Sequence, residues 1–98
     1  MSFAELLAED RRLSLLRLLA EAPATSANTY VLHTALQAVG HACSGAQVET
    51  DAAWLAEQGL VTVEDLGKVR VVHLTARGDD VAAGRAVVPG VKRPVPGV

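Results

Sequence analysis

The stretch SGAQVETDAAWLAEQGLVTVEDLGKVRVVHLTARG, residues 44–78, decides the fold. Ser44 with Gln47 three positions on is a capping-box pattern, and Val48, Ala52 and Leu55 follow at helical spacing to Gly59, a natural left-handed helix end. Leu60 to Asp65 and Val69 to Leu74 are β-rich runs separated by Leu66-Gly67-Lys68, which predicts a short hairpin. Thr75 then caps another helix holding Val81, Ala82 and Ala83, closed near Gly84 and Pro89. Residues 44–78 therefore predict helix, hairpin and helix start, the outline of a helix followed by a wing.

Upstream, Ser2 caps a first helix with Glu5 three residues on, and the Leu- and Ala-rich run from Phe3 to Glu21 continues it to Pro23. Its apolar residues, Phe3, Leu6, Leu7, Leu13, Leu15, Leu16, Leu18 and Leu19, cover more than one stripe in the second half. That predicts burial on two sides, one against the core and one against a partner subunit. A second helix starts at Asn28, or at Ser26 one turn earlier, and runs to about Val39 before Gly40, with Val31, Leu32, Ala35 and Leu36 at helical spacing. A short turn separates it from the third helix, as a helix-turn-helix requires. The expected fold is mainly α with a small β-hairpin, in the order α-α-α-β-β-α. Residues 1–86 form this domain, and residues 87–98, rich in Pro and Gly with the basic pair Lys92-Arg93, form an extended C-terminal arm.

Ninety-eight residues, half of them apolar, suffice for one domain with a single core. So small a core makes a homodimer a reasonable expectation. Phe3, Tyr30 and Trp54 are the only aromatics, which disfavours a stacking platform for single strands. Trp54 is expected to pack beneath the wing or at a subunit contact. A lone Cys43 excludes an internal disulfide and fits a reducing cytoplasm. Glu5, Glu9, Asp10, Arg11 and Arg12 interrupt the N-terminal apolar runs, so neither a signal-like segment nor a membrane span is expected.

Trp54-Leu55-Ala56-Glu57-Gln58-Gly59-Leu60-Val61, the hairpin, and Leu74-Thr75-Ala76-Arg77-Gly78 stand in the order of a winged helix-turn-helix domain. The Gly-Leu-Val exit from a recognition helix and the Leu-Thr-x-x-Gly exit from a wing resemble small bacterial regulators of the ArsR and MarR type. The chain resembles the short ArsR-like winged-helix proteins of bacterial prophages over roughly residues 2–86. The resemblance implies a dimeric transcription regulator whose helix at 45–58 enters the major groove of double-stranded DNA while the hairpin at 60–74 touches backbone or minor groove. ArsR metal sensors use paired thiols, which a single Cys does not supply, so metal sensing does not carry over.

Charge pulls against shape. The net charge is -2, and between Arg17 and Lys68 there is no Lys or Arg, whereas Glu21, Glu49, Asp51, Glu57, Glu64 and Asp65 fall there. With Val48, Ala52 and Leu55 facing the core, Ala46, Gln47, Glu49, Thr50, Ala53 and Glu57 lie on or near the outer face. The candidate DNA contacts on this helix are Ser44, Gln47 and Thr50, with Gln47 suited to adenine, Thr50 to a base or phosphate, and Glu49 able to accept from cytosine. Asp51 and Glu57 would repel phosphates. Lys68 and Arg70 on the wing are the candidate backbone contacts. Arg11, Arg12 and Arg17 have Glu5, Glu9, Asp10 and Glu21 within helical reach for surface pairing. Lys92-Arg93 suits either a minor groove or a strap over a partner subunit.

No catalytic constellation and no cofactor is expected: Cys43 and His41 lack an orienting third group, and there is no phosphate-binding Gly-rich loop. His41 and Cys43, with His33 or His73, have the donor types for zinc but a spacing better explained by a buried thiol and a polar turn, so no metal is expected. A rival function is a protein-docking winged helix whose acidic third-helix face meets a basic partner.

Overall fold

A computed structural model describes residues 1–95; Pro96, Gly97 and Val98, the end of the expected arm, lie outside the described residues. The elements are α1 (Phe3–Glu21), a 3-10 turn (Pro23–Thr25), β1 (Ser26–Asn28), α2 (Thr29–Ala38), α3 (Gly45–Glu57), β2 (Val61–Asp65), β3 (Arg70–Leu74) and α4 (Ala76–Ala82). Each helix begins where a side-chain oxygen can accept from an otherwise unpaired amide of its first turn. Ser2 accepts from Glu5, Asn28 from Val31, Ser44 from Gln47 and Thr75 from Gly78. Both α2 and α3 stop in the same way, at glycines with positive φ, Gly40 and Gly59. Behind them the amides of His41 and Leu60 reach back to the carbonyls of Leu36 and Leu55, the six-to-one bond of a Schellman end.

The sheet has the order β1-β3-β2, antiparallel throughout. The wing hairpin pairs Val61 with Leu74 and Asp65 with Arg70, and Gly67 turns its tip with φ of 89°. The sequence predicted two strands, and the structure has a third. Ser26, Ala27 and Asn28 lie opposite His73, Val72 and Val71 and extend the sheet on the other side of β3. Three residues with no apolar alternation carry no local strand signal, because this pairing is made across the fold.

Leu13, Leu15, Leu16 and Leu19 of α1 enter one core with Leu32 and Leu36 of α2, Val48 and Leu55 of α3, Leu60, Val61, Val72 and Val81. Fully burying each Leu contributes roughly 1.5–3 kcal/mol. The broad apolar surface on the second half of α1 is covered within the chain: α2 and the sheet pack on α1, and so does α4. The large exposed apolar residues of α1 are instead at its start, Phe3, Leu6 and Leu7.

The expected extended arm is not what residues 88–92 form. Val88 and Val91 are buried in the core, at 4% and 6% exposure. The Lys92 amide donates to the Glu9 carbonyl at 3.2 Å, and its ammonium reaches Asp10 at 3.2 Å. Asp10 also accepts from His41 Nε2 at 2.7 Å. Burial raises the Asp10 carboxyl, but the hydrogen bonds from His41 and Lys92 together outweigh it and hold it below its ordinary value. Apolar valines and a basic residue complementary to Asp10 thus fold this segment onto its own domain, and Lys92 straps α1 of the same chain.

Candidate nucleic-acid interface

Two helix starts and the wing tip converge on one cleft. Thr29, Tyr30 and His33 of α2, Gly45 and Glu49 of α3, and Gly67, Lys68 and Arg70 of the wing line it. The Tyr30 hydroxyl donates to the Lys68 carbonyl at 3.4 Å, which links α2 to the wing tip. An adjoining groove between α3 and the sheet is lined by Ala52, Ala53, Ala56 and Val63, with Thr29, Glu49 and Arg70 at its polar side.

The sequence-predicted residues lie around this surface in different states. Ser44 is exposed, and its Oγ accepts from the Gln47 amide at 3.1 Å. Thr50 is exposed, its hydroxyl donating to the Ala46 carbonyl at 3.0 Å. Gln47 is half-buried and turns its amide inward, donating from Nε2 to Asp51 Oδ1 at 3.3 Å. Lys68 is exposed, and its ammonium makes no ion pair among the described residues. Arg70 donates from Nη1 to Glu49 Oε1 across the cleft, and its Nε lies 3.5 Å from Asp65 Oδ2. The hydrogen bond to Glu49, followed by its charge and that of Asp65, raises the Arg70 pKa further. Glu57 stands exposed at the far end of the helix.

Asp51 is not a surface acid. It is 1% exposed, and Arg11 crosses from α1 to meet it, with Nε on Oδ2 and Nη2 on Oδ1 at 3.3 Å. Arg12 Nε stands 3.9 Å from the same carboxylate. Its Nη1 donates to the Gly90 carbonyl at 2.9 Å, and its guanidinium lies 4.1 Å from the centroid of the Trp54 ring. Trp54 therefore packs against α1 and the C-terminal segment, not beneath the wing. Helical-spacing partners for Arg11 and Arg12 would be exposed pairs worth little, whereas a buried carboxylate requires a counter-charge. The hydrogen bond to Asp51 is the main reason the Arg11 pKa rises. This network joins α1, α3 and residue 90 and fixes the roll of α3, so that Glu49 and Thr50 face outward.

The zinc-type donors are dispersed. His33 donates from Nε2 to the Cys43 carbonyl at 2.6 Å, His73 donates to Glu64 at 3.1 Å, and His41 is engaged by Asp10. No group of three or more His, Cys, Asp or Glu suited to a metal is gathered among the described residues. Burial pushes the Cys43 thiol up from its ordinary value, away from the reactive thiolate. No helix among the described residues is long and apolar enough to cross a membrane. Tyr30 and Thr29 were not foreseen at this surface; Asn28 placed them in the first turn of a helix, but which way that turn faces depends on packing remote in sequence.

Helix-turn-helix, three-stranded sheet and wing define a winged helix-turn-helix domain. Solved structures of hsRosR-S1 and hsRosR-S4, each described as a complex, share this fold, both with a TM-score of 0.63. The first is 18% identical, with 74% of this chain and 63% of that one covered; the second is 20% identical, with 82% and 71% covered. No protein-family model matches. Over 92 residues the chain is 52% identical to uncharacterized protein gp26 of Escherichia phage Mu, covering 94% of this chain and 95% of that one, and it belongs to the family of that protein. An uncharacterized protein of Haemophilus influenzae is 46% identical over 66 residues, covering 67% of this chain and 64% of its own length.

Proposed function

We propose that this protein is a cytoplasmic transcriptional regulator of winged-helix type, of phage derivation and without catalytic activity, that binds duplex DNA as a homodimer. The observation that carries the proposal is the single cleft shared by the starts of α2 and α3 and the wing tip. Helix N-termini carry partial positive charge and amide donors, so two of them beside the unpaired Lys68 offer phosphate binding that the Lys and Arg count does not reveal. The phage Mu relative supports the phage derivation, and the resemblance to ArsR- and MarR-type regulators supports the regulatory function.

Affinity for labelled duplex is expected to fall steeply as salt rises, because phosphate contacts release counterions. Lys68→Ala weakens binding on every sequence and reduces the logarithmic salt slope by about 1. Absence of binding at low salt by a folded chain sinks the proposal.

One observation favours a second function, docking of a basic protein partner. The groove between α3 and the sheet is floored by Ala52, Ala53, Ala56 and Val63, and Glu57, Glu64 and Asp65 are exposed on the elements that form it. Association with a basic partner and none with duplex DNA is its signature.

A further inference from the structure

Glu49 presents a problem for a DNA-binding surface. It projects a carboxylate from the outer face of α3 toward the place where phosphates and base edges would lie, and Arg70, one of the two wing cations lining the cleft, is bound to it. Both side chains are nearly half exposed, at 43% and 45%. An ion pair so exposed adds only about 0–1 kcal/mol to stability, so holding the fold together is a weak reason for it.

The other polar groups of this face are committed elsewhere. Gln47 gives its amide to buried Asp51, the Thr50 hydroxyl bonds the Ala46 carbonyl, and Ser44 caps the helix. Arg70 takes Glu49 Oε1 and is flanked on its other side by Asp65, while Oε2 has no hydrogen bond among the described residues. Glu49 thus combines a fixed position, a neutralising partner and an unused acceptor.

We propose that Glu49 is a base-reading residue that accepts a hydrogen bond from the amino group of cytosine in the major groove, with Arg70 as its positioning residue. The assignment rests on the DNA-binding function proposed above. A carboxylate only accepts hydrogen bonds. Of the base edges in the major groove, cytosine presents the N4 amino donor, whereas adenine sets the N7 acceptor beside its N6 donor, where a carboxylate is repelled. Arg70 offsets the negative charge that would otherwise keep Glu49 from the phosphates.

The test is selection of duplexes from a randomised pool by the full-length wild type and by Glu49→Gln, Arg70→Ala and Arg70→Lys, with folding checked by circular dichroism. The wild type is expected to enrich a motif with a required cytosine. Glu49→Gln replaces that preference by adenine, which glutamine reads through paired donor and acceptor, and loses about tenfold in affinity for the wild-type motif. Arg70→Ala relaxes the cytosine position without unfolding the domain, and Arg70→Lys restores it in part. An unchanged motif in Glu49→Gln overturns the assignment and leaves DNA binding standing. A uniform gain in affinity with no change in preference also overturns it, since Glu49 then only masks Arg70. Binding without any motif by the wild type excludes base reading, and no binding at all removes both the assignment and the function on which it rests.

Discussion

Gly78 has no room for a side chain. A Cβ built there stands 2.0 Å from the Leu60 carbonyl oxygen and 2.7 Å from Leu74 Cδ1. Around it, the Thr75 amide donates to the Leu60 carbonyl at 3.1 Å and the Thr75 hydroxyl to the Gly59 carbonyl at 2.8 Å, while the Gly78 amide donates to Thr75 Oγ1 at 3.0 Å. The Gly-Leu exit from α3 and the Leu-Thr-x-x-Gly exit from the wing are therefore two halves of one joint, which fixes the angle between α3, wing and α4. Gly78→Ala is expected to lower stability by about 3 kcal/mol, because the obstacle is backbone and overpacking cannot relax through a rotamer. Chemical denaturation measures it, and a loss below about 0.5 kcal/mol would show that α4 can shift. Asp51 teaches the opposite lesson about legibility. Its burial could not be read locally, since its counter-ion Arg11 is 40 residues away in sequence.

Among the elements, those with local chemical signals were legible and those made by remote pairing were not. Ser2, Asn28, Ser44 and Thr75 each announced a helix that the structure contains, and the wing strands begin one residue later than expected, at Val61 and Arg70. β1 exists because β3 offers it an edge, and nothing within Ser26–Asn28 says so. The C-terminal segment misleads for a different reason. Its Pro and Gly content disfavours helix and strand but does not prevent Val88 and Val91 from burying, and Gly90 at φ of 97° lets the backbone pass against Trp54 and Arg12. The double variant Val88→Ala, Val91→Ala is expected to lose about 3 kcal/mol, from roughly 0.8 kcal/mol for each buried methyl or methylene removed. Thermal unfolding checks it, and an unchanged midpoint would mean that this segment detaches in solution.

For the whole molecule, shape and charge are reconciled by where the cations are spent. Arg11 and Arg12 serve buried Asp51, Arg85 pairs with Asp79 and Asp80, Lys92 holds Asp10, and Arg70 holds Glu49. Lys68 is left at the cleft, while Arg17, Arg77 and Arg93 are exposed without ion pairs among the described residues. Under the proposed DNA-binding function one copy offers few charges to phosphate, and the proposed homodimer would raise affinity by linking two sites through effective concentration. For the proposed homodimer, an apolar surface is available at the start of α1: Phe3, Leu6 and Leu7 are 74%, 50% and 40% exposed, and Met1, just before the helix, is 79% exposed. Exposed apolar side chains grouped in this way make the start of α1 the interface to test for the proposed dimer. Light scattering at micromolar concentration is expected to give a dimer mass for the wild type and a monomer mass for Phe3→Glu, Leu7→Glu, with the helical circular dichroism retained because these side chains lie outside the core. Duplex affinity should fall as dimerisation is lost, by tenfold or more on the scale of avidity losses. A monomeric wild type rejects the dimer, whereas a variant that remains dimeric moves the interface away from the start of α1.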